Sequence, residues 1–251
     1  MSSAAPTNPI VLIPARLAAT RLPNKPLAEI AGTPMIVHVW RRAMAAKIGP
    51  VVVACGDAAI AETVERAGGR AVLTDPGLPT GSDRIHAAIS ALDPGRAHDA
   101  VINVQGDVPM LDPAAIGVAL AALADPETDI ATLAAEITDE ASLHATSVNK
   151  VAAGFADPGR PTRALYFSKA PVPWGDGPHY EHIELYAYRR TALDRFVALP
   201  RGVLEQREYL EQLRALEAGM RISVSLIDPS RLGVQVDTPD DLARARQLMG
   251  S

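Results

Sequence analysis

The sequence predicts an α/β fold with a mostly parallel sheet and an antiparallel extension. In the first half of the 251-residue chain, short apolar segments alternate with helical patterns, which is the order of repeated β–α–β units with right-handed crossovers. Beyond about Asp125, strand patterns are joined by loops rich in proline and glycine, which indicates antiparallel or mixed pairing. The hydrophobic content of 48% favours a globular protein over a disordered one. We therefore predict a single domain over residues 1–251, in three stretches, 1–125, 126–190 and 191–251.

The strands and helices of the first half follow from the period of the apolar residues. Ile10–Ile13 is a short β-branched run, typical of a strand that is covered on both faces. Ala58–Ala67 has helical periodicity and is closed by Gly68 and Gly69. The same criteria predict further helices over Met35–Ala46 and Ser82–Ala91 and further strands over Val51–Ala54, Ala71–Leu73 and Val101–Val104.

The second half has strand patterns first and helical patterns last. Strands are predicted over Asp129–Glu136, Val148–Ala153, Arg163–Phe167 and Leu185–Tyr188. Helices are predicted over Thr191–Ala198, Glu205–Glu217 and Pro239–Leu248. The stretch Pro171–Pro178 is rich in proline and glycine, and we interpret it as a loop inside the domain because strand patterns resume directly after it.

Composition argues against several classes of function. The net charge of -5, the pI of about 5.7 and the aromatic content of 4% disfavour a nucleic-acid partner, which needs a basic face or stacking aromatic rings. Cys55 is the single cysteine, so we expect no disulfide and no thiolate metal site, in keeping with a reducing compartment. The first residues lack the features of a signal peptide, and the apolar stretch Ala114–Ala124 is too short to span a bilayer. We therefore expect a cytoplasmic protein without a membrane segment.

The densest group of charges follows the first predicted strand. Arg16, Arg21 and Lys25 lie in a proline-rich segment that cannot be a continuous helix. In open α/β sheets, ligands bind outside the carboxyl ends of the strands, so these cations are placed to receive an anionic substrate such as a triphosphate. A solvated basic loop is the alternative that the spacing leaves open.

Two aspartates are candidate Mg²⁺ ligands. Asp107 follows the predicted strand Val101–Val104 and stands beside Gly106, where a ligand could approach the backbone. Mg²⁺ is usually bound through one or two carboxylates together with substrate phosphates. Asp237 precedes the last predicted helix and becomes a candidate if the fold pairs it with Asp107. Each has a plain structural alternative, as a turn residue for Asp107 and as a helix N-cap for Asp237.

Three polar segments are candidates for direct contact with a substrate. TGSDR, Thr80–Arg84, begins a predicted helix, where the amides of Gly81 and Ser82 favour an anion or a base edge, although capping alone explains the pattern equally well. HIELYAYR and LEQREYLEQLR, His182–Arg189 and Leu204–Arg214, combine donors and acceptors that suit a polyhydroxylated ligand. On their own, these two segments would be interpreted as a polar rim.

Taken together and in this order, the segments resemble one family over nearly the whole chain. The sequence is similar to the 3-deoxy-manno-octulosonate cytidylyltransferases, also called CMP-KDO synthetases. The similarity lies in IPARLAATRLPNKPL, GTPMIVHV, TGSDR, NVQGD, ALYFSKA, YAYR, LEQLRALEAG and VDTPDDL. The resemblance implies a three-layer nucleotide-diphospho-sugar transferase fold, with a mixed, mostly parallel sheet and an antiparallel dimerisation extension.

The resemblance implies a reaction as well as a fold. CTP and KDO, an eight-carbon acidic sugar, would give pyrophosphate and CMP-KDO for lipopolysaccharide biosynthesis, in a homodimer that uses Mg²⁺. The anomeric hydroxyl of KDO would attack the α-phosphorus in line, and the protein would mainly position the substrates and neutralise charge. Residues 1–125 would then bind the nucleotide, 126–190 the sugar and the partner subunit, and 191–251 would supply the last helices and a second metal-ligand loop.

The resemblance also implies roles for individual residues. The triphosphate-binding cations of the family match Arg16 and Lys25, with Arg21 as a third, and its magnesium ligands match Asp107 and Asp237. The segment that helps to hold the nucleotide contains Ser82 and Arg84. The sugar-site positions match Gln105, Lys169, His182, Tyr188, Glu211 and Gln212.

Several positions depart from the family pattern. Val108 stands where GDEP has an acid, so the role of that acid is absent here. Lys169 replaces a common arginine, which keeps the charge but loses the planar fork that grips a carboxylate with two hydrogen bonds. Glu184 replaces a glycine and adds a charge near an acidic substrate. The spacing GVQVDTP is longer than the usual GVDTP, which affects how Asp237 is presented.

Other classes of protein were weighed against this interpretation. The motifs of P-loop NTPases, Rossmann dehydrogenases and serine hydrolases, GxxxxGK[ST], GxGxxG and GxSxG, do not occur where they would be needed. His179 and His182 have no apparent third partner for a metal. Two alternatives stay open, a cytidylyltransferase for another acidic sugar (sialic acid, pseudaminic acid or 8-amino-KDO) and a non-catalytic sugar-nucleotide-binding protein.

Overall fold

A computed structural model describes residues 5–18, 22–231 and 233–250 of the chain. The strands, in chain order, are β1 Pro9–Ala15, β2 Glu29–Ile30, β3 Thr33–Pro34, β4 Val51–Cys55, β5 Arg70–Leu73, β6 Ala100–Val104, β7 Ile130–Glu136, β8 Lys150–Ala153, β9 Thr162–Ser168, β10 Tyr180–Arg189 and β11 Ile222–Leu226. The α-helices are α1 Met35–Ala45, α2 Ala58–Arg66, α3 Gly81–Leu92, α4 Pro113–Ala121, α5 Glu140–His144, α6 Arg190–Ala198, α7 Val203–Glu208, α8 Leu213–Glu217 and α9 Pro239–Met249. Short 3₁₀ turns cover Lys25–Leu27, Ala122–Ala124 and Pro229–Arg231.

The chain forms two compact units. The first unit contains Asn8–Gly117 and Arg231–Ser251, and the second unit is chiefly Val118–Ser230. The sequence placed the change of architecture near Asp125, a few residues beyond this boundary. The prediction of a single domain stays a prediction.

The first unit contains a parallel sheet in the order β5-β4-β1-β6. Strands β1, β4 and β6 are buried along their whole length, as expected for β-branched strands that are covered on both faces. Helices α2 and α3 pack against this sheet. Since all four strands run in one direction, their carboxyl ends share one edge, and the loops after β1 and β6 begin there.

The last helix belongs to the first unit and has its own small core. Val236, Leu242 and Ala245 are buried against Ile30 and Met35, which lie in β2 and at the start of α1. Arg246 in α9 also donates its Nε hydrogen bond to the carbonyl of Glu29 at 2.9 Å. This packing fixes the segment before α9, and with it Asp237, in the same unit as the first strand.

The second unit contains a mixed sheet in the order β10-β7-β11-β9-β8. Strand β7 runs parallel to β11, and the other pairs are antiparallel. The register between β10 and β7 shifts between Ile183 and Ala187, so simple alternation of faces does not hold along β10. The predicted mixed α/β architecture is confirmed, with the parallel sheet in the first unit and the antiparallel pairs in the second.

Several predicted elements differ from the structure. The predicted helix Glu205–Glu217 is wrong, because α7 ends at Glu208 and Tyr209 adopts a left-handed conformation with φ of 58° before α8 begins. Strand β10 begins at Tyr180, well before the predicted Leu185. The structure also contains α4, α5, the β2–β3 hairpin and β11, which were not predicted from the sequence. Among the described residues, no helix is both long and apolar enough to cross a lipid bilayer.

Candidate active site

A cavity of about 450 Å³ opens at the carboxyl edge of the first unit's sheet. It is lined by the loops after β1 and β6, by the start of α3 and by the segment before α9. The lining residues are Pro14, Ala15, Arg16, Ala18, Leu22, Lys25, Pro26, Leu78, Pro79, Thr80, Gly81, Arg84, Gln105, Gly106, Asp107 and Asp237. The predicted residues Arg16, Lys25, Arg84, Gln105, Asp107 and Asp237 therefore share one cavity.

Lys25, Asp107 and Asp237 form an ion-pair cluster in this cavity. The Lys25 ammonium donates hydrogen bonds to Asp107 Oδ2 at 2.7 Å and to Asp237 Oδ1 at 3.0 Å. The backbone supports the pairing, because the amide of Val236 donates to the carbonyl of Asp107 at 2.9 Å. The three side chains are 16%, 17% and 29% exposed, so the cluster is accessible but not fully solvated.

The N-cap alternative for Asp237 is wrong, because the neighbouring residue caps the helix. Helix α9 is capped by Thr238, whose hydroxyl accepts a hydrogen bond from the amide of Asp241 at 3.2 Å. The carboxylate of Asp241 in turn accepts a hydrogen bond from the amide of Thr238 at 2.8 Å. This capping box leaves the Asp237 carboxylate directed to Lys25. Asp107 lies in the turn after β6, and its carboxylate pairs with Lys25.

The Asp107 carboxylate retains unused binding capacity. Its Oδ1 is buried and has no hydrogen-bond partner among the described residues. Burial raises the pKa of Asp107 above its ordinary value, although the charge of Lys25 opposes this shift. Burial lowers the pKa of Lys25, but the charges and hydrogen bonds of Asp107 and Asp237 outweigh it and raise that pKa overall. A buried anionic oxygen without a partner is energetically costly and is suited to a bound cation.

The donor set fits a magnesium ion that is shared with a substrate. Within the described ranges, no group of three or more histidine, cysteine, aspartate or glutamate side chains is arranged to hold a metal. Mg²⁺ does not need such a cage, because it keeps several waters and binds through one or two carboxylates plus substrate phosphates. Asp107 and Asp237 supply those two carboxylates, and the buried Oδ1 of Asp107 is an oxygen ligand of the right chemistry.

The loop after β1 presents Arg16 at the cavity. Arg16 is exposed, and the amide of its neighbour Leu17 donates to Asp57 Oδ2 at 2.9 Å, which ties the loop to the start of α2. Asp57 was not singled out in the sequence, because its contact joins residues 40 positions apart. Arg21, the third predicted cation, lies outside the described residues.

Gly106 has a packing role that was not predicted from the sequence. Its predicted role in admitting a ligand stays a prediction. A Cβ at this position would lie 2.7 Å from the carbonyl oxygen of Pro14, closer than real Cβ contacts allow. The glycine therefore lets the loop after β6 pass directly against the end of β1. Because of this close approach, Gln105 and Asp107 reach the same cavity as Arg16.

Arg84 lines the cavity but is engaged by the protein itself. It is 2% exposed, and its guanidinium donates to Thr74 Oγ1 at 2.6 Å and to the carbonyl of Asp75 at 3.2 Å. Burial, followed by the nearby charge of Arg16, lowers the pKa of Arg84. These contacts anchor the loop that leads to Leu78 and Pro79 in the cavity wall. Direct contact of Arg84 with a nucleotide stays a prediction.

The TGSDR segment caps helix α3. Thr80 Oγ1 accepts from the amide of Asp83 at 3.1 Å and donates to the Asp83 carboxylate at 2.8 Å. The capping alternative is therefore correct for Thr80. Ser82 is 3% exposed in the first turn of α3, and its contact with a nucleotide stays a prediction.

The predicted sugar-site residues of the second unit include a buried polar network around His182. The Gln212 side-chain amide donates to His182 Nδ1 at 3.3 Å, so Nε2 carries the proton and meets Thr132 Oγ1 at 3.0 Å. Burial lowers the pKa of His182 to about 3, so the imidazole is neutral at physiological pH. The structure thus brings His182 and Gln212 together.

Aromatic rings continue from this network along β10. His182 packs edge-to-face on Tyr186, and Tyr186 lies 5.8 Å from Tyr188 between ring centroids. Burial, followed by the charge of Glu184, raises the pKa of Tyr186 well above its ordinary value. Tyr188 is 2% exposed and also packs on Phe196. Contacts of His182, Tyr188, Glu211 and Gln212 with a sugar stay predictions.

Glu184 and Lys169, two of the departures from the family pattern, are both half-buried. The side-chain amide of Asn149 donates to Glu184 Oε1 at 2.9 Å. The ammonium of Lys169 lies over the ring of Tyr209, 5.3 Å from its centroid. Lys169 contact with a sugar carboxylate stays a prediction.

The architecture matches that of a known class of folds. The parallel sheet has cations and paired carboxylates at its carboxyl edge. A nucleotidyl transferase from Methanothermobacter thermautotroptrophicus has the same fold, with a TM-score of 0.61 at 15% identity over 96% of this chain and 97% of that one.

Sequence relatives define the family. A family model described as cytidylyltransferase matches residues 10–222. The 3-deoxy-manno-octulosonate cytidylyltransferase of Methylobacterium radiotolerans is 62% identical over 97% of this chain and 97% of its own length. That of Rhodospirillum centenum is 60% identical over 98% of this chain and 95% of its own length. This chain belongs to the 3-deoxy-manno-octulosonate cytidylyltransferase family.

A solved structure supports the same assignment. A CMP:2-keto-3-deoxy-manno-octonic acid synthetase complexed with CTP superposes with a TM-score of 0.88 at 35% identity. The match covers 97% of this chain and 99% of that protein. The family resemblance and the nucleotide-diphospho-sugar type of fold expected from the sequence are therefore confirmed.

Proposed function

We propose that this protein joins CTP and KDO to form CMP-KDO and pyrophosphate. The observation that carries the proposal is the Lys25–Asp107–Asp237 cluster, in a cavity of about 450 Å³ at the carboxyl ends of parallel strands. The cavity combines cations for a triphosphate with a pair of carboxylates for a divalent ion. The names of the close relatives supply the identity of the sugar and the nucleotide.

The chemistry assigns distinct tasks to the residues of the cavity. The anomeric oxygen of KDO forms a bond to the α-phosphorus of CTP, the bond to the β-phosphate oxygen breaks, and the hydroxyl proton leaves with solvent or pyrophosphate. Arg16, at the mouth of the cavity, neutralises the triphosphate and the pyrophosphate that departs. Asp107 and Asp237 would hold Mg²⁺, which when bound neutralises phosphate charge and acidifies a coordinated hydroxyl. Positioning and charge neutralisation are therefore the main work of the protein.

Lys25 has two tasks in this proposal. Without a divalent ion, its ammonium offsets part of the negative charge of the two aspartates and keeps them together, as the distances of 2.7 and 3.0 Å indicate. With a divalent ion on the carboxylates, the ammonium no longer serves as their only counter-charge and is available to the β- and γ-phosphates. Arg21 would act as a third cation, as the family resemblance implies.

The sugar contacts follow from the family resemblance. Gln105 lies in the cavity wall beside Asp107, and its amide can bind a sugar hydroxyl as donor or acceptor. Lys169 is the cation for the KDO carboxylate. The neutral His182 and Gln212, with Tyr188 and Glu211, provide donors and acceptors for the remaining hydroxyls. Ser82 and Arg84 support the nucleotide from the start of α3.

Turnover with defined substrates tests the proposal. Purified protein is incubated with CTP, MgCl₂ and KDO, and pyrophosphate and CMP-KDO are quantified. We expect both products in equal amounts, CTP preferred over UTP, and loss of turnover in EDTA. A panel with N-acetylneuraminic acid, pseudaminic acid and 8-amino-KDO identifies the sugar. Binding of CTP without pyrophosphate release from any sugar would make the protein a non-catalytic binder.

We also infer a homodimer and a cytoplasmic role in lipopolysaccharide biosynthesis. The homodimer follows from the family resemblance, and in the second unit Trp174 is fully exposed and Leu165 is 67% exposed, so both are apolar side chains that a partner subunit would cover. Light scattering of the wild type and of Trp174→Glu tests the dimer. A monomeric wild type would contradict it. Cys55 is a buried free thiol, compatible with a reducing compartment.

A further inference from the structure

Tyr209 has an unusual backbone conformation for its residue type. It lies between α7 and α8 with φ of 58°, and its side chain is 76% exposed. This left-handed region is unfavourable for a residue with a Cβ, and glycine or asparagine normally occupies it. A large exposed aromatic ring therefore stands where stability alone favours glycine, which indicates that the ring has a task.

The ring of Tyr209 faces Lys169. The Lys169 ammonium lies 5.3 Å from the ring centroid, within the range of a cation–π interaction. A free lysine side chain in water samples many rotamers, and an aromatic face restricts the ammonium to a smaller volume. Tyr209 therefore limits where the charge of Lys169 can be presented.

The backbone of Lys169 is held from both sides. Its amide donates to Glu208 Oε2 at 3.1 Å, and its carbonyl accepts from Lys150 Nζ at 2.9 Å. Glu208 is the neighbour of Tyr209, so one short segment fixes the Lys169 amide and also contacts its side chain. Lys150 is fully buried and donates to two further carbonyls, those of Ala145 and Val148.

We propose that Tyr209 is a positioning residue that holds the Lys169 ammonium for the carboxylate of the acidic sugar, on a backbone fixed by Glu208 and Lys150. This inference rests on the proposed function. It compensates for the departure noted in the sequence, since lysine lacks the rigid fork of arginine. An external aromatic face replaces part of the rigidity that the guanidinium would have had.

A double-mutant cycle tests the proposal. Steady-state kinetics are measured for the wild type, Tyr209→Phe, Tyr209→Gly, Lys169→Ala and the double variant Tyr209→Gly/Lys169→Ala, with KDO and CTP varied in turn. Tyr209→Gly removes the ring and relieves the backbone, so it should fold at least as well as the wild type. We expect a rise in the KM for KDO on the order of threefold, as for an exposed cation–π contact, with kcat and the KM for CTP unchanged.

The remaining variants separate positioning from a structural role. Tyr209→Phe keeps the ring and should behave as the wild type, and Tyr209→Gly should have no further effect once Lys169 is alanine. Lys47→Gly is the matched control, since Lys47 is exposed with φ of 54° and lies in the first unit. It should leave both KM values unchanged.

Several results would overturn the inference while leaving the proposed function intact. These are an unchanged KM for KDO in Tyr209→Gly, a loss in Tyr209→Phe equal to that in Tyr209→Gly, and additive losses in the double variant. Failure of the proposed function has a different signature, because the wild type itself would then form no CMP-KDO. That result would also remove the sugar carboxylate as the partner of Lys169 and so overturn this inference with it.

Discussion

The two units treat their polar groups in opposite ways. In the first unit, Lys25, Asp107 and Asp237 are charged, accessible from a cavity, and leave one aspartate oxygen without a partner. In the second unit, His182 is neutral, 4% exposed, and bonded through both ring nitrogens to Thr132 and Gln212. The first arrangement retains capacity for a ligand, whereas the second uses its hydrogen bonds to fix side chains in place. Substitution of these polar side chains should therefore lower activity most in the first unit. In the second unit it should mainly lower the stability of the fold.

The largest expected effect is on activity in the first unit. Asp107→Ala should lower turnover by roughly 10²-fold, a loss of about 2.7 kcal/mol in transition-state stabilisation, because it removes one of the two carboxylates that we propose as Mg²⁺ ligands. The fold should persist, as judged by circular dichroism. Asp157→Ala is the control, since Asp157 is 62% exposed in a surface ion pair. If Asp107→Ala keeps near-normal turnover, or if the wild-type protein stays active in EDTA, Asp107 and Asp237 hold no essential metal.

The next effect is on stability in the second unit. His182 is neutral when folded, with its pKa lowered to about 3 from 6.5, so the unfolded chain binds the extra proton first as pH falls. The contribution of the neutral imidazole to the free energy of unfolding is fully present above pH 6.5. Between pH 6.5 and about pH 3 this contribution declines by about 1.4 kcal/mol per pH unit. In urea unfolding, the free energy of unfolding should fall less from pH 7 to pH 5 for His182→Gln than for the wild type.

A surface histidine provides the comparison for that experiment. His144 is exposed at the end of α5, and His144→Gln should retain the wild-type decline between pH 7 and pH 5. If His182→Gln declines as steeply as the wild type, the acid sensitivity does not come from the buried imidazole. The buried network around His182 would then not be the source of the stability difference that we expect between the units.

A smaller effect is expected from the cation of the first unit. Lys25→Ala should raise the KM for CTP or lower kcat on the order of tenfold, because a charge that faces the triphosphate is lost. Affinity for CMP should fall less, since CMP lacks the β- and γ-phosphates. Calorimetric titration of both nucleotides into the wild type and Lys25→Ala measures the difference. Equal losses for CTP and CMP would restrict Lys25 to the role of counter-charge for the aspartates.

The smallest effect is expected at Glu184. Because Asn149 already holds its carboxylate at 2.9 Å, Glu184→Gly should change kcat/KM for KDO by no more than about twofold, the scale of a weak partly exposed contact. The ratio of kcat/KM for KDO to that for 8-amino-KDO should stay the same in both proteins. A shift of this ratio would show that Glu184 recognises the sugar, and would favour the alternative substrate.

Much of the first unit could be predicted because its signals are local. The β-branched runs at β1, β4 and β6 identify buried strands, and their order identifies a parallel sheet. The family resemblance then associated Asp107 with Asp237, which spacing alone could not do. The contact of both with Lys25 joins residues 82 and 212 positions apart, and no local pattern contains that information.

The failures have physical causes that are equally specific. Helical periodicity records which residues are apolar but not the sign of φ, so the reversal at Tyr209 within Glu205–Glu217 could not be detected. Arginine in a first helical turn is usually solvated, so the burial of Arg84 against Thr74 was not expected. The strand pattern also does not reveal the register shift of β10 after Ile183, because a bulge depends on pairing with β7 and not on local sequence.

The hydrogen bond from Val236 to the carbonyl of Asp107 has a consequence for synthesis on the ribosome. Strands β1 and β6 and the loops after them can associate once about the first hundred residues have emerged. Asp237 joins them only after the segment that packs Val236, Leu242 and Ala245 on Ile30 and Met35 has also emerged. A nascent chain that has exposed Lys25 and Asp107 therefore lacks the second carboxylate, and a product truncated before Val236 would have only one of the two carboxylates that we propose for the metal.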